Sequence, residues 1–200
     1  MFAQVEWTKP TRWHLDFSSE ERSLVERGGL IVSFCVFTAL CAQISFQLPW
    51  TPVPYTLQTF AVMATGVYLR RNDAFISGSL YLLVGALGAP VFAGGGNELF
   101  SGGALIASGG YLLAFPIASA IVAESLDRSR NAGTPLDIAQ WTAWSVAMLP
   151  VYLFGTLWLS HAYGVSFGQA LEWGVVPFII WDAFKILVLG LVTTKLWSYK

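Results

Sequence analysis

Long apolar stretches alternate with short polar breaks along most of the chain. Six of these stretches are predicted to cross a membrane as helices, because a span takes about 20 helical residues, or fewer where the bilayer thins. They cover residues 28–48, 56–69, 74–89, 106–126, 141–163 and 176–197. The second and third are short, but the polar sequence RRND separates them, so one long helix cannot replace both.

Composition supports the same class. Hydrophobic residues make up 55% of the chain and charged residues 12%, whereas soluble domains have about 25% charged residues. The sequence therefore predicts an all-α membrane protein with six transmembrane helices, in contact with membrane lipid. The sequence has no cluster of basic residues that would indicate a nucleic-acid partner.

The basic residues predict the orientation of the helices. Of the eleven Lys and Arg residues, ten lie before the first span, at or beyond the end of the last one, or in the second and fourth connections. With six spans all ten lie on one side, which the positive-inside rule makes cytoplasmic. Both termini are thus expected in the cytoplasm of a cell whose plasma membrane the chain crosses several times. Lys185 is the remaining basic residue.

The chain divides into two predicted parts. Residues 28–200 form the transmembrane domain, and residues 1–27 precede it with mixed charge and without the apolar core of a signal peptide. Aromatic residues between the charges fit a segment that lies on the membrane surface. A partly ordered cytoplasmic tail is the alternative.

The predicted outer loops cover residues 49–55, 90–103 and 164–177 and contain no Lys or Arg. The first is rich in proline, and the second contains Gly94, Gly95 and Gly96. A glycine-rich loop of this length can fold over a ligand, whereas a plain connector needs only a few residues. We favour a binding loop over a flexible connector.

Two charged residues interrupt the last span. Asp182 and Lys185 are three positions apart, so a helix places them on one face. An ionised group near the bilayer centre costs about 2.5–3.5 kcal/mol on insertion scales, and such residues usually mark a functional site. We expect the pair to form the floor of a pocket that opens to the outside; an ion pair that only holds helices together is the alternative.

Other polar and aromatic residues fit such a pocket. Gln43 and Gln58 each offer an amide in the outer halves of the first two spans, although a lone Gln often only joins helices. Phe92, Tyr81 and Tyr111 can supply apolar walls. No metal site, cofactor or catalytic group is expected: the chain has two histidines, no phosphate-binding glycine loop before a lysine, and no histidine placed beside Ser108.

Three stretches resemble one known family. They are AQISFQLPWTPVPYTLQTFAV, GSLYLLVGALGAPVFAGGG and GGYLLAF, at residues 42–62, 78–96 and 109–115. These look like the BioY family, the biotin-specific substrate-binding (S) components of energy-coupling-factor (ECF) transporters. The likeness covers about residues 28–197.

The resemblance implies a six-helix S-component bundle that captures biotin from the external side. It implies two kinds of partner, a transmembrane coupling protein and two cytosolic ATPases, and no enzymatic activity of the chain itself. The family's acid and lysine in the last helix fall on Asp182 and Lys185. Lys185 would donate to the ureido oxygen of biotin or neutralise its carboxylate. An S component for another small vitamin-like ligand is the alternative.

One departure from the family pattern lies beside the acid. The family usually has Pro-Gly there, where this chain has Ile180 and Trp181. This change affects the start of the helix next to the predicted binding acid.

Overall fold

The fold is known from a computed structural model that describes residues 22–97, 100–101, 104–134 and 136–198. Seven α-helices, one 3₁₀ turn and two short antiparallel hairpins make up this part of the chain. In chain order they are α1 (Leu24–Gln43), β1 (Ser45–Phe46), β2 (Tyr55–Thr56), α2 (Gln58–Tyr68), α3 (Arg71–Ala86), the 3₁₀ turn (Ala93–Gly95), β3 (Phe100–Ser101), β4 (Ala104–Leu105), α4 (Gly109–Asn131), α5 (Leu136–Tyr163), α6 (Phe167–Gly174) and α7 (Val176–Ser198).

Each of the six predicted spans coincides with one of these helices, within a few residues at each end. The prediction of a third outer loop was wrong in part, because the loop contains α6. Ser166 caps α6 by accepting a hydrogen bond from the backbone N–H of Gln169, at 3.2 Å. Ala170 and Gly174 form its buried face. The predicted segment 1–27 lies outside the described residues up to residue 21.

The first helix ends earlier than the apolar pattern predicts. It begins with a capping box between Ser23 and Glu26 and ends at Gln43. Ser45 and Phe46 then pair with Thr56 and Tyr55 in a two-residue antiparallel ladder. We call residues 45–56 the outer hairpin.

Four helical segments are long and apolar enough to cross a membrane: Leu24–Gln43, Gly109–Asn131, Ile138–Tyr163 and Phe167–Thr193. The other two predicted spans correspond to α2 and α3, which have 11 and 16 residues. At a rise of about 1.5 Å per residue they are shorter than the hydrocarbon core. Large apolar side chains on the outside of the bundle, such as Leu24, Leu149 and Leu191, are exposed, as lipid contact requires.

Helix α4 packs at the centre of the bundle, where glycines allow backbones to approach closely. A Cβ on Gly110 would lie 2.4 Å from the carbonyl oxygen of Phe154 in α5. A Cβ on Gly66 would lie 2.4 Å from the carbonyl oxygen of Ser119 in α4. These contacts fix α2 and α5 on two sides of α4, and α7 completes the walls of the cavity described below.

An ion pair joins the ends of α1 and α3 that are predicted to be cytoplasmic. Arg27 donates from Nε and Nη2 to the two carboxylate oxygens of Asp73, at 3.0 and 2.6 Å. Asp73 is buried, while the Arg27 side chain is 30% exposed. The fork of two hydrogen bonds sets the position of α1 against α3.

Candidate ligand-binding site

A cavity of about 40 Å³ lies between the outer hairpin, α2, α4, α5 and α7. Its walls are mainly apolar and include Val53, Leu112, Phe115, Val151 and Phe178. Polar groups gather at one side, on α2 and α7. A mostly apolar pocket with a few placed polar groups is the usual form of a small-molecule site.

Asp182 and Lys185 provide the charged groups of this cavity. They lie one helical turn apart on α7, and both line the cavity. Lys185 Nζ is 2.5 Å from Asp182 Oδ1, and each residue is 5% exposed. The pair has no net charge, which lowers the penalty for burying it in a medium of low dielectric constant. Contact of these residues with a ligand stays a prediction.

Neighbouring helices fix the carboxylate of Asp182. Thr59 on α2 donates its hydroxyl to Oδ1 at 2.8 Å. Tyr152 on α5 donates its hydroxyl to Oδ2 at 2.7 Å. Both oxygens therefore have a partner on a helix other than α7, so Asp182 connects α2, α5 and α7.

The ammonium group of Lys185 reaches the start of α2. It donates to the carbonyl oxygen of Thr56 at 3.1 Å and to the hydroxyl of Thr59. Its Nζ lies 5.6 Å from the ring centre of Trp181. Acceptors from the protein thus hold the cation inside the bundle.

Two further predicted residues, Gln58 and Tyr111, line the same cavity. The Gln58 amide nitrogen donates to the hydroxyl of Tyr81 at 2.6 Å, and its amide oxygen accepts from the hydroxyl of Thr56 at 2.9 Å. Tyr111 donates to the carbonyl oxygen of Gly174 at 2.9 Å. The structure therefore brings Gln58, Tyr111, Asp182 and Lys185 together.

The other predicted site residues form a layer behind Gln58 rather than the wall of this cavity. Tyr81 donates to the carbonyl oxygen of Val91 at 2.9 Å, and its ring meets that of Phe92 edge to face. Phe92 is 1% exposed and fills the space beside Gly85. Ligand contact by Tyr81 and Phe92 stays a prediction.

Gln43 and the glycine run continue this layer toward α1. The Gln43 amide nitrogen donates to the carbonyl oxygen of Phe92 at 3.4 Å. Gly94 and Gly95 have φ of 63° and 83°, a conformation that L side chains rarely adopt, and Gly96 donates to the carbonyl oxygen of Ala93. The run forms a tight turn beside α1. Gly102 and Gly103 lie outside the described residues.

Sequence reasoning did not select Tyr152, Thr56 or Ser108 for the site, although all three line the cavity. Tyr152 is one of many aromatic residues in apolar spans, so its hydroxyl carries no distinguishing pattern. Ser108 lies just before α4, and no histidine is among the described residues that line the cavity. Within the described ranges, no group of three or more His, Cys, Asp or Glu side chains is arranged to hold a metal ion.

The outer hairpin covers the cavity and is held against the start of α7. The ring of Tyr55 stacks on that of Phe178 with centroids 4.4 Å apart. The Tyr55 hydroxyl donates to the carbonyl oxygen of Pro177 at 2.9 Å, and the Trp181 indole N–H donates to that of Thr56 at 3.2 Å. The cavity therefore has an outer wall made of aromatic contacts and backbone hydrogen bonds.

Comparison with known proteins identifies the family. The family model described as the BioY family matches residues 16–200. A probable biotin transporter BioY from Pyrococcus horikoshii is 36% identical over 84% of this chain and 93% of its own length. The biotin transporter BioY2 of Lactococcus lactis subsp. cremoris is 32% identical over 76% of this chain and 82% of its own length.

A solved structure has the same fold. It is a crystal structure of the S-component for biotin from an ECF-type ABC transporter, with a TM-score of 0.78 and 20% sequence identity. The match covers 92% of this chain and 96% of the other chain. The chain belongs to the BioY family and is a multi-pass membrane protein.

Proposed function

We propose that this chain is the biotin-binding S component of an ECF-type vitamin transporter and that it binds biotin in the cavity beneath the outer hairpin. The observation that carries the proposal is the buried Asp182–Lys185 pair at the polar side of an apolar cavity. The relatives named as biotin transporters and the shared fold support it.

The chemistry of biotin matches the two sides of the cavity. Its ureido group has two N–H donors and one carbonyl acceptor, and its fused rings and chain are apolar. Asp182 can accept from ureido N–H groups, and Lys185 can donate to the ureido oxygen. The aromatic rings of Tyr111, Phe115 and Phe178 also line the cavity and can cover the rings of biotin.

The balance of charge favours the ureido group as the partner of both residues. Asp182 and Lys185 already neutralise each other at 2.5 Å. A ligand carboxylate placed beside them would bring a second anion close to Asp182 and would lose its own hydration. The uncharged ureido group avoids both penalties, and the carboxylate then lies toward the hairpin.

The cavity must enlarge when biotin binds. Its volume of about 40 Å³ leaves room for a few water molecules only, whereas ligand sites usually measure about 300–1,000 Å³. Val53 and Pro54 form the outer wall, and a short hairpin moves at lower cost than a packed helix. We expect the hairpin to move outward as biotin enters.

The proposal also specifies the orientation of the protein in the membrane and the proteins with which it assembles. All six predicted spans cross the plasma membrane, with both termini in the cytoplasm and the outer hairpin facing outside. Arg27, Arg71 and Arg128 lie at helix ends that share the cytoplasmic side in this arrangement. A transmembrane coupling protein and two cytosolic ATPases supply the energy, so the chain binds its ligand and carries out no catalysis.

Radiolabelled biotin binding to the purified protein in nanodiscs tests this function. We expect tight, saturable binding without any cofactor, displaced by unlabelled biotin and not by other vitamins. Asp182→Asn should weaken binding at least about tenfold, because a charged acceptor is lost. Glu172→Gln on α6 is the matched control and should bind normally, since residue 172 is exposed. Displacement by a different vitamin would assign the chain to another ligand of the same fold.

A further inference from the structure

Trp181 connects the outer hairpin to the charged pair. It lies on α7 directly before Asp182 and one turn before Lys185. Its indole N–H donates to the carbonyl oxygen of Thr56, the last residue of the hairpin, at 3.2 Å. Its ring meets that of Phe46, on the other strand of the hairpin, with centroids 5.8 Å apart.

Trp181 and Lys185 share one acceptor. Lys185 Nζ donates to the same Thr56 carbonyl oxygen at 3.1 Å. The ammonium group also lies 5.6 Å from the centre of the Trp181 ring, within the range of a cation–π interaction. The hairpin is therefore anchored at Thr56 by two donors, one of which is the cation of the charged pair.

A ligand that takes hydrogen bonds from Lys185 draws this cation away from Thr56. The Thr56 carbonyl oxygen then keeps the indole N–H of Trp181 as its remaining donor among the contacts described above. A buried carbonyl without any partner is unfavourable, because it has lost its hydration and has no hydrogen bond in return. Without Trp181, occupation of the cavity would loosen the wall that has to close it.

From these contacts we propose that Trp181 is a positioning residue that holds the outer hairpin closed over the occupied cavity and so slows release of the ligand. The inference rests on the proposed function for the identity of the ligand. It concerns retention rather than capture, because Trp181 does not line the cavity. The dissociation rate is therefore the quantity that it controls.

The side chain chemistry of tryptophan suits this role. Phenylalanine at position 181 would keep an aromatic face toward Phe46 and Lys185 but would lack the N–H for Thr56. Leucine would lack both. The neighbouring Phe184 offers a matched control, since its ring stacks on Trp181 and is 54% exposed.

The first test measures release of radiolabelled biotin from the purified protein after a chase with unlabelled biotin. We expect Trp181→Leu to release biotin at least about tenfold faster and Trp181→Phe by an intermediate factor, with association rates changed less than about threefold. Phe184→Leu should release it at the wild-type rate. Unchanged release from both Trp181 variants, or an effect confined to association, would overturn the proposal. If Trp181→Leu does not fold, Trp181→Phe alone decides.

A second test does not depend on the ligand. Val53 belongs to the hairpin, lines the cavity and is 5% exposed, so a cysteine introduced there by Val53→Cys reports hairpin opening through its rate of reaction with a hydrophilic maleimide. Cys35 and Cys41, both buried, are first replaced by serine. We expect faster labelling when Trp181→Leu is added and no change when Phe184→Leu is added. Equal labelling rates would refute the anchoring role, whereas a wild-type protein that binds no biotin would refute only the proposed function.

Discussion

The hydroxyl of Tyr152 on α5 donates a hydrogen bond of 2.7 Å to the Asp182 carboxylate on α7. This contact joins two helices across the cavity and holds one carboxylate oxygen in place. Thr59 does the same for the other oxygen from α2. The proposed binding acid is thus oriented before any ligand arrives, which lowers the entropy that binding must offset.

The Tyr152 contact leads to a prediction on affinity. Tyr152→Phe removes the donor and leaves a buried carboxylate oxygen without its partner, so biotin affinity should fall by a factor of about five to ten. Titration calorimetry measures the change. Tyr163→Phe, at an exposed ring near the end of α5, serves as the control and should bind as wild type. Normal affinity of Tyr152→Phe would mean that the contact does not orient Asp182 for the ligand.

The charged pair allows its structural and binding roles to be separated. Asp182→Asn or Lys185→Met alone leaves one buried charge without its partner, and breaking such a pair costs about 3–5 kcal/mol. The double variant removes both charges and should recover most of the thermal stability while still failing to bind biotin. Thermal unfolding in detergent and radioligand binding give the two readouts. Wild-type biotin affinity in the double variant would show that the pair only joins helices.

Close packing of α4 predicts opposite effects of one substitution at two glycines. Gly110→Ala should destabilise the fold by about 1–3 kcal/mol, because the new methyl group would overlap the α5 backbone. Gly29→Ala on α1 meets nothing within 4 Å and should stabilise the helix by up to about 1 kcal/mol. Thermal unfolding of the two variants provides the comparison. Equal effects would contradict the packing of α4 against α5.

The Arg27–Asp73 pair should stabilise the fold more than the exposed Arg128–Glu124 pair does. Arg27→Ala leaves the buried Asp73 carboxylate without its two donors, and we expect a loss of about 1–3 kcal/mol, reduced by the partial exposure of Arg27. Arg128→Ala removes a partner of Glu124 from a side chain that is 78% exposed, so it should change stability by less than about 0.5 kcal/mol. The unfolding temperatures of the two variants test this prediction. Similar decreases in both would show that the two hydrogen bonds between Arg27 and Asp73 stabilise the fold no more than an exposed ion pair does.

The sequence predicts the helices and the charged pair for a physical reason. Apolar runs of membrane length leave few alternatives to helix, because a lipid-exposed backbone must satisfy its own hydrogen bonds. Within such a run, Asp182 and Lys185 stand out by their energetic cost, and their spacing gives the shared helix face. Gln58 and Tyr111 follow from the expectation of a pocket between the outer ends of helices.

Other features depend on three-dimensional packing that no local pattern records. Tyr152 meets Asp182 from 30 positions away, and its hydroxyl looks the same in sequence as that of any other tyrosine in a span. The two-residue strands of the outer hairpin are too short for an alternating pattern. Helix α6 has 8 residues and lies in a stretch that reads as a loop. Phe92 lies behind Gln58 because Gly85 on α3 has no side chain and so leaves space for the phenylalanine ring.

The short distance between Asp182 Oδ1 and Lys185 Nζ also determines how the site responds to the membrane potential. Opposite charges 2.5 Å apart form a small dipole with no net charge, so the electric field exerts almost no net force on the pair. A single unpaired charge moved across the membrane would involve electrical work of about 2.3 kcal/mol per 100 mV. The pair therefore contributes no gating charge, and under the proposed function the carboxylate of a bound biotin is the charge on which the voltage would act during uptake.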